Sequence, residues 1–240
     1  MPNKKDDMYG DHISHQFNED LSNLKNDFLK MGGLVEQQTI DAVNALIDGD
    51  GHAADEIRAR DKLVDKMEME LDEEATRLIA RRQPAARDLR LVIAVIKMVS
   101  DLERVGDEAK KIAKFALTLS QEGQAPRGYV EVRHISTHVT TMLHDALDAF
   151  SRLDSVQALK IMREDKRVDE EYQAATRTLL TFMMEDSRNI SRCMAVMWVL
   201  RALERVGDHA CNLAENVIYM VEGEDVRHTP VEEAAKIVGP

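Results

Sequence analysis

The sequence predicts an all-α protein: two tandem three-helix bundles, six main helices in all, related by an internal repeat. Three observations predict it. The hexapeptide LERVGD occurs twice, at Leu102 to Asp107 and at Leu203 to Asp208. Charged residues make up 32% of the chain and aromatics 4%, with only 11 Gly and 5 Pro to break helices, a balance that suits long amphipathic helices rather than a β-sandwich. Apolar residues recur at helical spacing over six long stretches separated by short turn signals.

The elements follow in order. Residues 1–11 are polar and read as a flexible N-terminus. A helical pattern runs from about Asn18 to Ile47. Asp48-Gly-Asp-Gly51 breaks it, and Asp50 is placed to cap the next helix, from about Ala53 to Arg82. Pro84 disfavours helix at Gln83, so RQPAAR is a turn before a third helix, about Ala86 to Leu119. EGQAPRG, residues 122–128, is the most linker-like stretch. The second half repeats the pattern, with helices from about Val130 to Arg152, Val156 to Glu185 and Ile190 to Glu222. Asp154-Ser155 supplies the middle cap. The tail, residues 227–240, has little to pack with and reads as flexible. The repeat units are thus 12–121 and 129–226.

The repeat extends beyond the hexapeptide. DAVNALIDGD at 41–50 matches DALDAFSRLD at 145–154, an offset of 104 residues, and RDKLVD at 60–65 matches EDKRVD at 164–169 at the same offset. Beyond the second helix the offset falls to 101, so three residues are missing from the second hairpin turn, where a helical hairpin tolerates deletion.

Each unit carries two carboxylate pairs at i, i+4: Asp61/Asp65 with Glu103/Asp107, and Asp165/Asp169 with Glu204/Asp208. Residues four apart share a helix face. Antiparallel helices joined by a short turn bring to one level residues equidistant from it. Positions 61 and 107, like 65 and 103, are centred on Pro84; 165 with 208, and 169 with 204, are centred inside EDSRN. Four acids per unit therefore meet at one height. On the third helix Val95, Met98, Leu102, Ala109 and Ala113 form the apolar stripe, and Glu103 and Asp107 fall roughly 100° to 140° from its centre. Met67, Leu71 and Leu78 mark the stripe of the second helix, with Asp61 and Asp65 on its flank. The acids are expected at the edge of a seam, partly open to water.

Four carboxylates at one level repel unless a cation lies between them. Oxygen ligands suit Mg²⁺, Ca²⁺, Mn²⁺ or iron better than a structural zinc. The competing reading is a solvated face, with Lys62, Lys66, Arg104, Lys166, Arg167 and Arg205 pairing with these acids. Gln37/Asp41 and Thr141/Asp145, on the first helix of each unit, fall near the same height and are candidates to complete a ligand shell. His134 and His138 are spaced to hold a transition metal or to be surface histidines, and Glu131 with His134 makes one ExxH. A ferritin-like di-iron site needs two. Arg81, Arg82, Arg87 and Arg90 surround the first turn, where they can dock an acidic partner or stay solvated. Met183, Met184 and Met194 read as core.

The net charge of -12 argues against a nucleic-acid partner. Cys193 and Cys211 lie on one helix, about 27 Å apart, too far to pair, and reduced thiols fit a cytoplasmic location. The first residues lack the apolar core of a secretory signal, and the longest apolar run, LVIAVIKMV, is too short to span a bilayer. No nucleophile-and-base set, P-loop or glycine-rich phosphate cradle is present, which points away from an enzyme.

MGGLVEQQ (31–38), ARRQPAARDLRLV (80–92), REDKRVDEEY (163–172), MMEDSR (183–188) and the two LERVGD segments resemble the PhoU family. The resemblance runs from about His12 to Arg227. It implies two similar three-helix bundles and a negative regulator of phosphate uptake and of the phosphate-starvation response. Such a protein is a cytoplasmic adaptor, often a homodimer, working at the inner face of the membrane. Its partners are the ATPase of a phosphate ABC transporter and a sensor histidine kinase of a two-component system. Some members bind iron or zinc clusters and others Mg²⁺ or Mn²⁺, through E(D)xxxD motifs. Here those motifs are Asp61/Asp65, Glu103/Asp107, Asp165/Asp169 and Glu204/Asp208. The family pattern continues as DxxxN. Asn212 keeps it, but Lys111 replaces it in the first unit, which predicts that the two sites differ.

Overall fold

The computed structural model describes residues 4–84, 86–123 and 129–239. The described residues are helical almost throughout: α1 Lys4–Asp48, α2 Gly51–Arg82, α3 Ala86–Glu122, α4 Val130–Arg152, α5 Ser155–Glu185, α6 Ile190–Glu222 and α7 Val231–Val238, with a 3-10 turn at Ser187–Asn189 before α6. None is long and apolar enough to cross a membrane.

The turn residues do what their chemistry dictates. The Asp50 carboxylate accepts hydrogen bonds from the backbone N–H of His52 and Ala53, both at 3.0 Å. Its repeat counterpart Asp154 accepts from Gln157 N–H at 2.9 Å. These three N–H groups are among the orphan donors that every helix N-terminus exposes. Gln83, before Pro84, ends α2 in the left-handed region at φ 48°. The expected linker falls largely on residues 124–128, which lie outside the described residues.

Within each unit the first two helices pack on the third: α1 and α2 on α3, and α4 and α5 on α6. The units meet through α3 against α6 and α1 against α4, so these four helices form the centre and α2 and α5 lie outside. One continuous core results, running from Leu24 and Phe28 through Leu102 and Ile112 to Leu203 and Ile218. The sequence units are thus repeats that share a core. At the α1–α4 crossing, Phe28 and Phe150 meet edge to face, 4.5 Å between ring centres. Gly32 leaves room there for Leu147: a Cβ would stand 2.4 Å from Leu147 Cδ2, so that side chain would have to move.

Three expectations are corrected. The N-terminal residues from Lys4 belong to α1. The tail is not loose, because Val231–Val238 forms α7 against α5, with Val226 and Ala234 fully buried. The short EEAAKIV segment finds an apolar surface on α5 that its own sequence does not announce. Met184 and Met194 are not core; they are exposed, as are Ile190 and Trp198 along the same side of α6.

Candidate metal site

The recurrence of LERVGD is explained by where its residues go. Leu102 and Val105, like Leu203 and Val206, are fully buried. Gly106 and Gly207 face the neighbouring helix. A Cβ on Gly106 would stand 3.2 Å from Val64 Cγ1 and 3.5 Å from Asp61 Oδ1. One on Gly207 would stand 3.5 Å from both Val139 and Val168. At Gly106 the contact is tighter than a Cβ ordinarily makes, whereas at Gly207 a Cβ would meet ordinary van der Waals contacts.

The acids of each predicted quartet lie near enough to act on one another's charge. In the second, burial pushes the Asp165 carboxyl up to about 6, helped by the charges of Asp208 and Asp169. Glu204 is pushed up to about 7, first by burial and then by Asp208. Asp208 is raised by burial and by Asp169. In the first quartet Glu103 is raised by burial, then by Asp107, with Glu68, Asp65 and Asp61 adding to it. Glu68 escaped the sequence reading, although it lies one turn beyond Asp65 on the same side. Cys211, one turn beyond Asp208, also belongs here: burial and the charges of Asp165, Glu215 and Asp208 hold its thiol protonated.

The expected half-open setting is too uniform. Asp65 and Asp169 are exposed, but Asp61 is 2% exposed and Glu204 7%.

The cations differ from those expected. Lys110 Nζ lies 2.5 Å from Asp61 Oδ2 and 3.6 Å from Asp107 Oδ1. The buried Asp61 also accepts from Gln38 Nε2 at 3.4 Å. Lys111, expected beside this cluster, turns to Glu108 at 2.8 Å. In the second unit Arg201 pairs with Glu204 Oε1, while Glu204 Oε2 is buried with no hydrogen-bond partner. Lys66 pairs with Glu70, Arg167 with Glu164, and Arg205 with Glu108 across the units. Lys66, Arg167 and Arg205 thus make their ion pairs with acids outside the quartets, because adjacent residues on a helix point in different directions.

The other candidates do not join the clusters. Asp41 is held by Gln37 and by Arg60 Nη1, both at 2.8 Å. Thr141 donates to the Thr137 carbonyl one turn back. It is Gln38, fully buried, that reaches the first cluster. His134 and His138 form a ladder with α5: each places Nδ1 3.2 Å from a Glu171 oxygen, and His138 Nε2 lies 3.2 Å from Glu164. Glu131 lines the cleft beside His134. Arg82 is tied to Asp20 on α1. Cys193 and Cys211 are both free thiols. Among the described residues, no three or more His, Cys, Asp or Glu side chains are placed together to hold a metal ion.

A duplicated three-helix unit with carboxylates gathered across each hairpin defines a class of helical proteins with paired acidic centres. The PhoU domain family matches residues 28–116 and 132–217, one match on each repeat, and the chain belongs to that family. A protein of Pseudomonas aeruginosa, named "Phosphate-specific transport system accessory protein PhoU homolog", is 56% identical over 217 residues, 90% of each chain. The Escherichia coli "Phosphate-specific transport system accessory protein PhoU" is 43% identical over 227 residues, 95% of this chain and 94% of that one. The crystal structure of PhoU from Pseudomonas aeruginosa superposes with a TM-score of 0.84 at 55% identity, covering 87% of this chain and all of that one. The phosphate transport system regulatory protein PhoU from Streptococcus pneumoniae gives a TM-score of 0.80 at 29% identity, over 88% and 99% of the two chains.

Proposed function

We propose that this protein is a negative regulator of phosphate uptake and of the phosphate-starvation response, and that it acts without catalysing a reaction. It works in the cytoplasm, at the inner face of the membrane, as an adaptor between the ATPase of a phosphate ABC transporter and a sensor histidine kinase. It touches the membrane only through these partners and works as a homodimer. The observation that carries this reading is the 56% identity to a phosphate-specific transport accessory protein over 90% of both chains. The long helical faces suit docking, and the surface has the acidic balance that disfavours nucleic acid.

The acidic clusters bind a divalent or trivalent cation, of the group Mg, Mn, Fe or Zn. The second cluster is the stronger candidate to hold one. It offers the carboxylates of Asp165, Asp169, Glu204 and Asp208, and the orphaned Glu204 Oε2 lacks a partner that an ion would supply. A cation bound there joins α5 to α6 by charge and so holds the outer helix to the centre. The first cluster, Asp61, Asp65, Glu103 and Asp107, already contains an ammonium group. The di-iron reading lacks the second ExxH that it requires, Glu131 with His134 being the one such motif in the sequence.

Deletion of the gene in its host, followed by alkaline phosphatase assay in high phosphate, tests the regulatory role. The enzyme is expected to become derepressed and to fall again on complementation. Phosphatase that stays repressed in the deletion strain would sink the regulator reading.

A further inference from the structure

We propose that the open side of α6, between α5 and α3, is a docking surface for an acidic amphipathic helix of a partner protein, with Trp198 as its anchor. The inference rests on the adaptor reading above and deepens it by naming one face of the adaptor and the chemistry of what binds there.

Ile190, Met194 and Trp198 follow one another at steps of four residues, so they line one side of α6. All three are exposed, Trp198 by 55%. Leu180 and Met184 on α5 are exposed as well, Met184 by 80%. Leu180 lies about three turns beyond Asp169, on the side of α5 whose acids act on Asp208 of α6. Counted from the turn, Leu180 stands level with Cys193 and Met184 with Asn189. Five large apolar side chains thus gather at the outer end of one hairpin. Scattered exposed apolar residues are ordinary, whereas a gathered stripe marks an interaction site.

The repeat explains why the stripe is open. α3 and α6 are repeat equivalents packed on each other, so a contact between the start of α3 and the end of α6 recurs between the start of α6 and the end of α3. Arg90 lies against Gly223, where a Cβ would stand 2.8 Å from Nη1. Displacing this pair by 101 residues, forward and back, gives Ser191 and Glu122, and Ser191 Oγ donates to Glu122 Oε2 at 2.9 Å. Beside Arg90 and Gly223, Lys97 lies over the Tyr219 ring, 5.2 Å from its centre. The same displacement gives Trp198 and Thr118. A threonine cannot cover an indole as a tyrosine covers a lysine, and the Trp198 ring stays open.

The charge around the stripe selects the partner. Arg201 and Arg205 continue the same side of α6 beyond Trp198, at steps of three and four. Both are about half exposed, as is Lys111 of α3, while the carboxylates they pair with, Glu204 and Glu108, are buried. Cations therefore face outward and their acids inward, on a chain whose net charge is -12. Arg177 on α5 adds an exposed guanidinium that makes no ion pair among the described residues. A second copy docked on this face would set these cations against their own kind, a like-charge contact that disfavours it. An acidic helix meets them with opposite charge while its apolar side lies along the stripe, the helix-in-groove mode of recognition.

The test uses the full chain, with the purified transporter ATPase and, separately, the cytoplasmic portion of the sensor kinase as probes. Affinity is read by calorimetry at low and at high salt. The wild type is expected to bind one probe, more weakly as salt rises. Trp198→Ser is expected to weaken that binding by about tenfold or more, because a buried aromatic anchor dominates an interface. Met184→Ser is expected to weaken it too. Both side chains face water, so both variants should fold, which thermal unfolding checks. Arg177→Glu with Arg205→Gln is expected to weaken binding and flatten its salt dependence, with Lys111 still serving Glu108. A probe that binds wild type and Trp198→Ser equally would overturn the docking surface and leave the adaptor reading standing. Binding that ignores salt and the charge variant would overturn the acidic chemistry. A dimer that Trp198→Ser turns into a monomer, read by light scattering, would make this a self-association face and overturn the proposal. Neither probe binding to the wild type would overturn the adaptor reading, and this proposal with it.

Discussion

Glu204 and Asp165 carry their protons to higher pH than ordinary carboxyls, at about 7 and about 6, because burial and neighbouring charges penalise the anions. A carboxyl whose folded pKa is raised binds its proton more tightly in the folded chain than in the unfolded one. Its neutral form stabilises the fold below the unfolded value, and that contribution is lost as pH rises through the folded value. The chelated protein is therefore expected to lose stability between about pH 4 and pH 7, the window these two groups define. Urea unfolding across that range should show the midpoint falling. In Glu204→Gln with Asp165→Asn the fall should be smaller. Saturating Mn²⁺ should remove much of it from the wild type, since an ion bound only to the folded state stabilises that state. A midpoint that rises over this window would mean that other groups dominate. Asp225, held down to about 2 by Arg227, loses its proton below this window and does not mask the effect.

At the scale of the element, the repeat preserved helix starts as well as acids. Asp50 and Asp154, 104 residues apart, both cap the middle helix of their unit, and each accepts backbone N–H groups that would otherwise go unpaired. Asp154→Ala is expected to cost about 1 kcal/mol of stability, and Asp50→Ala a similar amount, each read from the urea midpoint. The caps lie in different hairpins with no shared partner, so their effects should add. Strong non-additivity would indicate that the two middle helices communicate. Helix starts of this kind were legible in the sequence, because a cap is a local hydrogen bond and needs only its own turn. The docking of α7 was not, since eight residues of EEAAKIV-like composition reveal an apolar side but not the surface on α5 that receives it.

At the scale of the molecule, α3 and α6 are joined by polar contacts inside the shared core. Asp101, 8% exposed, accepts from Asn212 Nδ2 at 3.0 Å and lies 2.9 Å from His209 Nδ1. Glu108, 4% exposed, lies between Lys111 and Arg205. These contacts link one repeat to the other, and neither acid was singled out by motif. Asp101→Ala leaves His209 and Asn212 without their acceptor and is expected to cost about 1 to 3 kcal/mol. Because the two units share one core, unfolding should remain a single transition, coincident by circular dichroism and by Trp198 fluorescence. Two separated transitions would show that the repeats fold independently.

The sequence by itself determined the helices, the duplication and the level at which the acids meet. Those follow from periodicity and from distance to a turn, both of which are local or arithmetic properties of one chain. Tertiary structure decided which cation each acid meets. Lys110, not Lys111, reaches Asp61, because a lysine's direction depends on the rotation of α3 against α2. It also decided which acids are buried, Asp61 and Glu204 but not Asp65 and Asp169, and that the two repeats share one core. A side chain's electrostatic partner is set by helices packing in three dimensions, and residues neighbouring in sequence on a helix face different ways.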